Sequence, residues 1–171
     1  MRKALGLMSA LAVLLFLTQG TSFAAGAKTT FRATLTGTEE VPARTTQANG
    51  TATFTLNKAG TEIKYRLIVH NIENITEAHI HMGATGANGP AVAILFGPVA
   101  PGGGKKNGLL AAGMIKASDL IGTLAGKTIG DLVAEIRAGN TYVNVHTNDG
   151  VAEANRGAGD FPDGEIRGQI R

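Results

Sequence analysis

The sequence predicts an all-β domain, an antiparallel Greek-key-like β-sandwich or barrel with one short helix near residues 128–138. Three observations predict it. Short runs rich in Thr, Val, Ile and aromatic residues recur from Thr29 onward, each bounded by Gly, Asn or Pro, which is the punctuation of antiparallel strands. Within the runs apolar and polar residues alternate, so each strand is expected to present one apolar and one polar face. A single segment replaces that alternation with a helical period.

Taken in order, strands are expected near 29–37, 51–57, 62–70, 76–82, 91–96, 108–115, 141–147 and 164–171. Spacing and alternation together favour a sandwich or barrel. The helical segment puts Ile129, Leu132, Val133 and Ile136 on one face. Thr128 and Asp131 stand at capping-box spacing, and Gly139 stands where a helix end wants a left-handed residue. A shorter turn is expected near 117–124, with Ser118 as its cap. The stretch 97–108 has no apolar period and holds three consecutive glycines, so it is expected to be a mobile surface loop with Lys105 and Lys106 in solvent.

The first residues carry a different signal. Arg2 and Lys3 precede an apolar run from Ala4 to Leu17, and small residues follow at Ser22, Ala24, Ala25 and Ala27. This is the pattern of a cleavable secretory signal over residues 1–24, with a second cleavage point as late as 27. The run is shorter than the ~20 residues a spanning helix needs, so no membrane span is expected after cleavage. The product is expected to be exported, to the periplasm or the outside of the cell, as one domain over residues 28–171.

Composition removes several classes of function. Two of the sixteen basic residues lie in the leader, which leaves the remainder nearly balanced against thirteen acidic ones; that balance is not a nucleic-acid footprint. Cysteine is absent, which excludes a disulfide framework, a thiolate metal site and a cysteine nucleophile. The glycine-rich stretch 83–90 follows a strand without opening a helix and has no Gly-Lys-Ser/Thr, so it reads as a turn rather than a phosphate loop.

Histidines carry the remaining chemistry. In Glu77-Ala-His-Ile-His-Met82, His79 and His81 point to one face while Ala78, Ile80 and Met82 point to the other. In Tyr142-Val-Asn-Val-His-Thr147, the apolar face is Val143 and Val145, which leaves Tyr142, Asn144 and His146 on the polar face. Two imidazoles from one strand and one from another supply three nitrogen ligands, a set that copper accepts and zinc also accepts. Three ligands leave a position open for water or a small substrate. His70 ends an apolar run and is read as a strand-end residue, with a fourth ligand as the alternative role. Arg156 and Arg167 follow His146 and would draw a small anion toward a metal. The other reading of Arg167 is structural: Glu165, Arg167 and Gln169 share a strand face, and Arg167 pairs with an acid such as Glu40.

Four blocks resemble a known family. They are Leu35-Thr-Gly-Thr-Glu-Glu-Val-Pro42; Ala78-His-Ile-His-Met-Gly83 with Gly89-Pro90 and Val92; Gly139-Asn-Thr-Tyr-Val-Asn-Val-His-Thr147; and Gly164-Glu-Ile-Arg-Gly-Gln169. In this order they resemble the CHRD, or chordin-type, domain in its exported bacterial single-domain form. The resemblance implies a β-sandwich and no defined activity. The His-x-His and later histidine are also similar to the copper ligands of copper-dependent superoxide dismutases. That similarity implies copper at His79, His81 and His146 and superoxide or other small-oxidant chemistry. The chain departs from those enzymes in lacking cysteine and any histidine between the two blocks. The competing reading is a metal-free envelope or extracellular adhesion module, in which the histidines only hydrogen-bond and loops such as that around Lys105 and Lys106 bind a protein partner that the sequence does not name.

Overall fold

The computed structural model describes residues 28–171; the leader expected over residues 1–24 or 1–27 lies outside the described residues. Eight strands follow in the order β1 (Thr30–Thr36), β2 (Asn49–Leu56), β3 (Glu62–Glu73), β4 (Ile75–Met82), β5 (Ala91–Phe96), β6 (Lys105–Lys116), β7 (Thr141–Thr147) and β8 (Ile166–Gln169), with α1 (Ile129–Ala138) between β6 and β7. Every strand pairing is antiparallel. They form one sheet in the order β5-β4-β7-β8-β1-β2-β3-β6. Its two edges, β5 and β6, come together, so the sheet curls into a nearly closed barrel.

Alternation along the strands builds the interior. Phe31, Ala33 and Leu35 of β1, Ala52, Phe54 and Leu56 of β2, and Ile63, Leu67 and Val69 of β3 are all buried, as are Ala78 and Ile80 of β4 and Val143 and Val145 of β7. A large aliphatic or aromatic side chain buried in this way contributes about 1.5–3 kcal/mol relative to exposure, so a barrel of this size holds together without a disulfide. Tyr65 of β3 spans the seam. Its ring lies over Gly113 of β6, where a Cβ would stand 2.9 Å from it, and its hydroxyl donates to the Leu95 carbonyl of β5 at 2.8 Å.

The helix follows the sequence rules closely. Thr128 Oγ1 accepts from the Asp131 amide at 3.2 Å, while Asp131 Oδ2 accepts from the Thr128 amide at 2.8 Å. Gly139 closes the other end at φ 76°, a left-handed conformation that costs glycine nothing. Ile129, Leu132, Val133 and Ile136 are buried. The turn expected near 117–124 is two short 3-10 turns, at 117–119 and 122–124; Asp119 rather than Ser118 caps the first, accepting from the Lys116 amide at 2.9 Å.

Two expectations need correction. The loop expected over 97–108 ends early, because Lys105 and Lys106 open β6 opposite Glu73 and Ile72. An edge strand faces solvent along much of its length, which is why this one shows little apolar period. His70 does not end its strand: β3 continues through a register shift to Glu73, and His70 sits exposed opposite Asn49.

One feature of β7 positions the site. All seven of its residues are buried, so its polar face is covered as well as its apolar one. The segments after β1, β4 and β7 fold over that outer face and are tied together: Asn88 Nδ2 donates to the Val41 carbonyl at 2.7 Å, and Thr46 Oγ1 donates to Glu165 Oε1 at 2.5 Å. The result is a second, polar layer on the outside of the barrel wall.

Candidate metal centre

The register of β4, β7 and β8 assembles this layer. Glu77 stands opposite His146, His79 opposite Asn144 and His81 opposite Tyr142; Asn144 and Tyr142 in turn stand opposite Arg167 and Gln169. Cross-strand and diagonal neighbours on one face of a sheet are within side-chain reach, so the three predicted histidines meet. Their ring centroids are 5.5 Å (His79–His81), 5.2 Å (His79–His146) and 5.8 Å (His81–His146) apart. One nitrogen from each lies within 4.8 Å of the others. His70 is not in this group.

Hydrogen bonds decide which nitrogen each ring offers. His81 Nδ1 is 2.9 Å from the Gly89 carbonyl and His146 Nδ1 is 2.8 Å from the Pro162 carbonyl. A carbonyl only accepts, so each Nδ1 carries the proton and each Nε2 keeps its lone pair. His79 is turned the other way: its Nε2 is 3.4 Å from Glu77 Oε2, and its Nδ1 faces His146 Nε2 at 3.4 Å. Two nitrogens that share an ion in tetrahedral geometry, each about 2.0–2.1 Å from it, are about 3.4 Å apart. His81 Nε2 is buried with no hydrogen-bond partner. The donor set therefore converges as His79 Nδ1, His81 Nε2 and His146 Nε2, and it could hold a metal ion.

Burial and neighbouring charge favour the neutral form of His79 and His81, which is the form that ligates. Burial pushes the His81 imidazolium down to about 4, helped by the nearby charges of His146, His79 and Arg167 and opposed by the bond to Gly89. Burial also lowers His79, as does His146, against the pull of Glu77.

Tyr142 and Arg167 complete the layer. The Tyr142 ring stacks on His81 at 5.0 Å and 14°, and the Arg167 guanidinium carbon lies 3.4 Å from the Tyr142 ring centroid. Because β4 and β8 flank β7 on opposite sides, the tyrosine is held between the two. Arg167 does not pair with Glu40 as the sequence suggested. It donates to Asn88 Oδ1 at 3.0 Å and to the Ala84 and Ala87 carbonyls at 3.1 and 2.8 Å. The guanidinium reaches these acceptors because the glycine-rich segment 83–90 folds back over β8. Arg156 is engaged elsewhere, with Asp149 at 2.8 Å and Asp160 at 3.6 Å.

Sequence reasoning missed four participants. The Gly89 and Pro162 carbonyls arise from loop folding and carry no residue-type signal, whereas the Tyr142 stack follows from the β4–β7 register that sets it opposite His81. Glu77 was legible, since it lies on the same strand face as His79 and His81. Beside the histidines, Glu40 is buried and its Oε2 accepts from Asn144 Nδ2 at 3.5 Å. Burial raises its carboxyl to about 7 against the lowering charges of Arg167 and Arg44.

The model of the CHRD domain family matches residues 31–170 of the chain. The protein belongs to the CHRD domain family. A search of curated proteins finds no match to its sequence.

Proposed function

We propose that this CHRD domain is exported and binds a transition-metal ion, copper in preference to zinc, through His79, His81 and His146. One observation carries the reading. Each imidazole has an acceptor on its outer nitrogen, so the three inner nitrogens turn toward one another, and His81 Nε2 is buried without a partner. A buried, unsatisfied nitrogen is costly unless something coordinates it, and outer acceptors of this kind orient histidine ligands at metal sites.

The donor chemistry favours copper. Three neutral imidazoles bind copper more tightly than zinc in the usual order of divalent affinities. When bound, copper would supply one-electron chemistry toward superoxide or another small oxidant at a position the protein leaves open. Export to the periplasm or the outside of the cell rests on the basic and apolar leader with its small residues near 24 and 27.

The test is metal content. The mature domain, purified without a histidine tag, is loaded separately with copper and zinc, desalted and analysed by elemental mass spectrometry. One copper per chain in the wild type, lost in His81→Ala, supports the site. A wild type that retains neither metal overturns it and leaves the histidines as hydrogen-bonding groups of an interaction module.

A further inference from the structure

We propose that Arg167 sets the oxidation-state preference of the bound copper, favouring the univalent over the divalent ion. The proposal deepens the metal-binding reading and rests on it.

Arg167 is a buried cation with no carboxylate in salt-bridge contact among the described residues. Its side chain is 1% exposed. Its three hydrogen bonds go to neutral acceptors, the Asn88 amide oxygen and the Ala84 and Ala87 carbonyls. It lies flat against Tyr142, which lies flat against the ligand His81. The two stacking contacts place the guanidinium within about 8 Å of the His81 ring, a distance at which one unit charge still acts strongly in a protein interior. A fixed positive charge repels a divalent ion more than a univalent one. At an effective dielectric of about 20, that difference changes the ratio of the two affinities by more than tenfold. Solvent cannot screen it, because the loop 83–90 and β8 enclose the guanidinium.

A purely structural Arg167, one that only fastens the loop, predicts something else: its loss weakens both ions together. Two substitutions separate the alternatives. Arg167→Gln removes the charge and keeps amide donors, whereas Arg167→Lys keeps the charge and loses the planar fork. Affinities for Cu(I) and Cu(II) are measured separately by competition with chelators of known strength. In Arg167→Gln the Cu(I)/Cu(II) affinity ratio is expected to fall at least tenfold, equivalent to about 59 mV for a one-electron couple. In Arg167→Lys the ratio is expected to hold within about threefold even where both affinities drop. An unchanged ratio in the glutamine variant, or the same shift in both variants, overturns the proposal. Should neither variant fold, Glu40→Gln reads the same field from the other side. Arg167 is the charge that most favours the ionised form of Glu40; at pH 8 removal of that carboxylate takes away the negative charge facing the guanidinium, and the ratio is expected to rise several-fold, while a flat result overturns the proposal. A wild type that takes up neither ion overturns the metal-binding reading itself, an outcome distinct from uptake with an unaltered ratio.

Discussion

His146 Nε2 faces His79 Nδ1 across 3.4 Å, and the surrounding bonds give neither nitrogen an easy proton. The His146 proton is committed to the Pro162 carbonyl. Moving the His79 proton to Nδ1 would leave a bare Nε2 against the Glu77 carboxylate. A cation between the two nitrogens removes the conflict. Copper added to the mature domain is therefore expected to stabilise it, by about 4 kcal/mol at a free concentration a thousandfold above the dissociation constant. The check is thermal unfolding with and without copper. The upward shift should be present in the wild type and absent in His146→Gln, whose amide cannot replace the imidazole as a ligand.

Gly89 is the point where the glycine-rich loop meets the site. His81 Nδ1 donates to its carbonyl, and its amide donates to the Tyr142 hydroxyl at 3.2 Å. A Cβ at this position would collide with the Met82 carbonyl oxygen, so alanine must push the loop away from both partners. Gly89→Ala is expected to weaken copper binding by about 10–100-fold, the usual effect of losing the group that orients a histidine ligand. Gly86→Ala in the same loop is the control. It meets nothing within 4 Å, although its φ of +79° strains any side chain, and it is expected to cost about 1 kcal/mol of stability while leaving copper affinity in place. Equal losses of affinity in the two variants would contradict this assignment.

The parts of this protein that were legible in its sequence are those set by local rules. The capping box of Thr128 and Asp131, with Gly139 behind it, defined α1 to the residue. Strand phase put His79, His81 and His146 on one polar face, because a period of two leaves no alternative once the apolar face is known. The depth of that face was hidden. Alternation marks Tyr142, Asn144 and Arg167 as polar-face residues, and a polar face ordinarily means solvent; here loops distant in sequence cover it, and Arg167 binds Ala84 and Ala87 instead of an acid. Lys105 and Lys106 were obscured for a different reason. They pair in the ladder through their backbones while their side chains face water, so composition describes a loop where hydrogen bonding makes a strand.

Glu40 gives the domain a pH dependence of known sign. Its carboxyl is raised from 4.5 to about 7 by burial, so between those values the folded protein holds a proton that the unfolded chain has lost. The associated stability is complete below pH 4.5 and is lost as the pH rises through 7. A shift of this size corresponds to about 3 kcal/mol. Glutamine mimics the protonated acid, so Glu40→Gln is expected to gain stability over the wild type by about that amount at pH 8 and to match it near pH 4.5. Urea unfolding of both proteins across this range makes the comparison. The difference between them isolates Glu40, because His79 and His81, whose depressed values make stability fall toward acid pH, contribute equally to both. A constant offset at all pH values would assign Glu40 a packing role alone.

Tyr65 tests how the barrel is closed. β5 and β6 are the two edges of the sheet, and no ladder joins them in the pairing of named strands. The Tyr65 hydroxyl crosses from β3 over Gly113 to the Leu95 carbonyl of β5 at 2.8 Å, supplying a hydrogen bond where a ladder bond would otherwise stand. Tyr65→Phe keeps the ring over the glycine and removes only the hydroxyl. The expected loss is about 1 kcal/mol, the net worth of one such bond, measured by urea unfolding. Where the loss falls is the more telling result. Amide exchange is expected to quicken along β5 and β6, whose outer edges the bond holds together, and to stay unchanged in β1 and β2, which are paired on both sides. Uniform acceleration through every strand would mean that the hydroxyl supports the whole barrel and that the seam is closed by apolar packing instead.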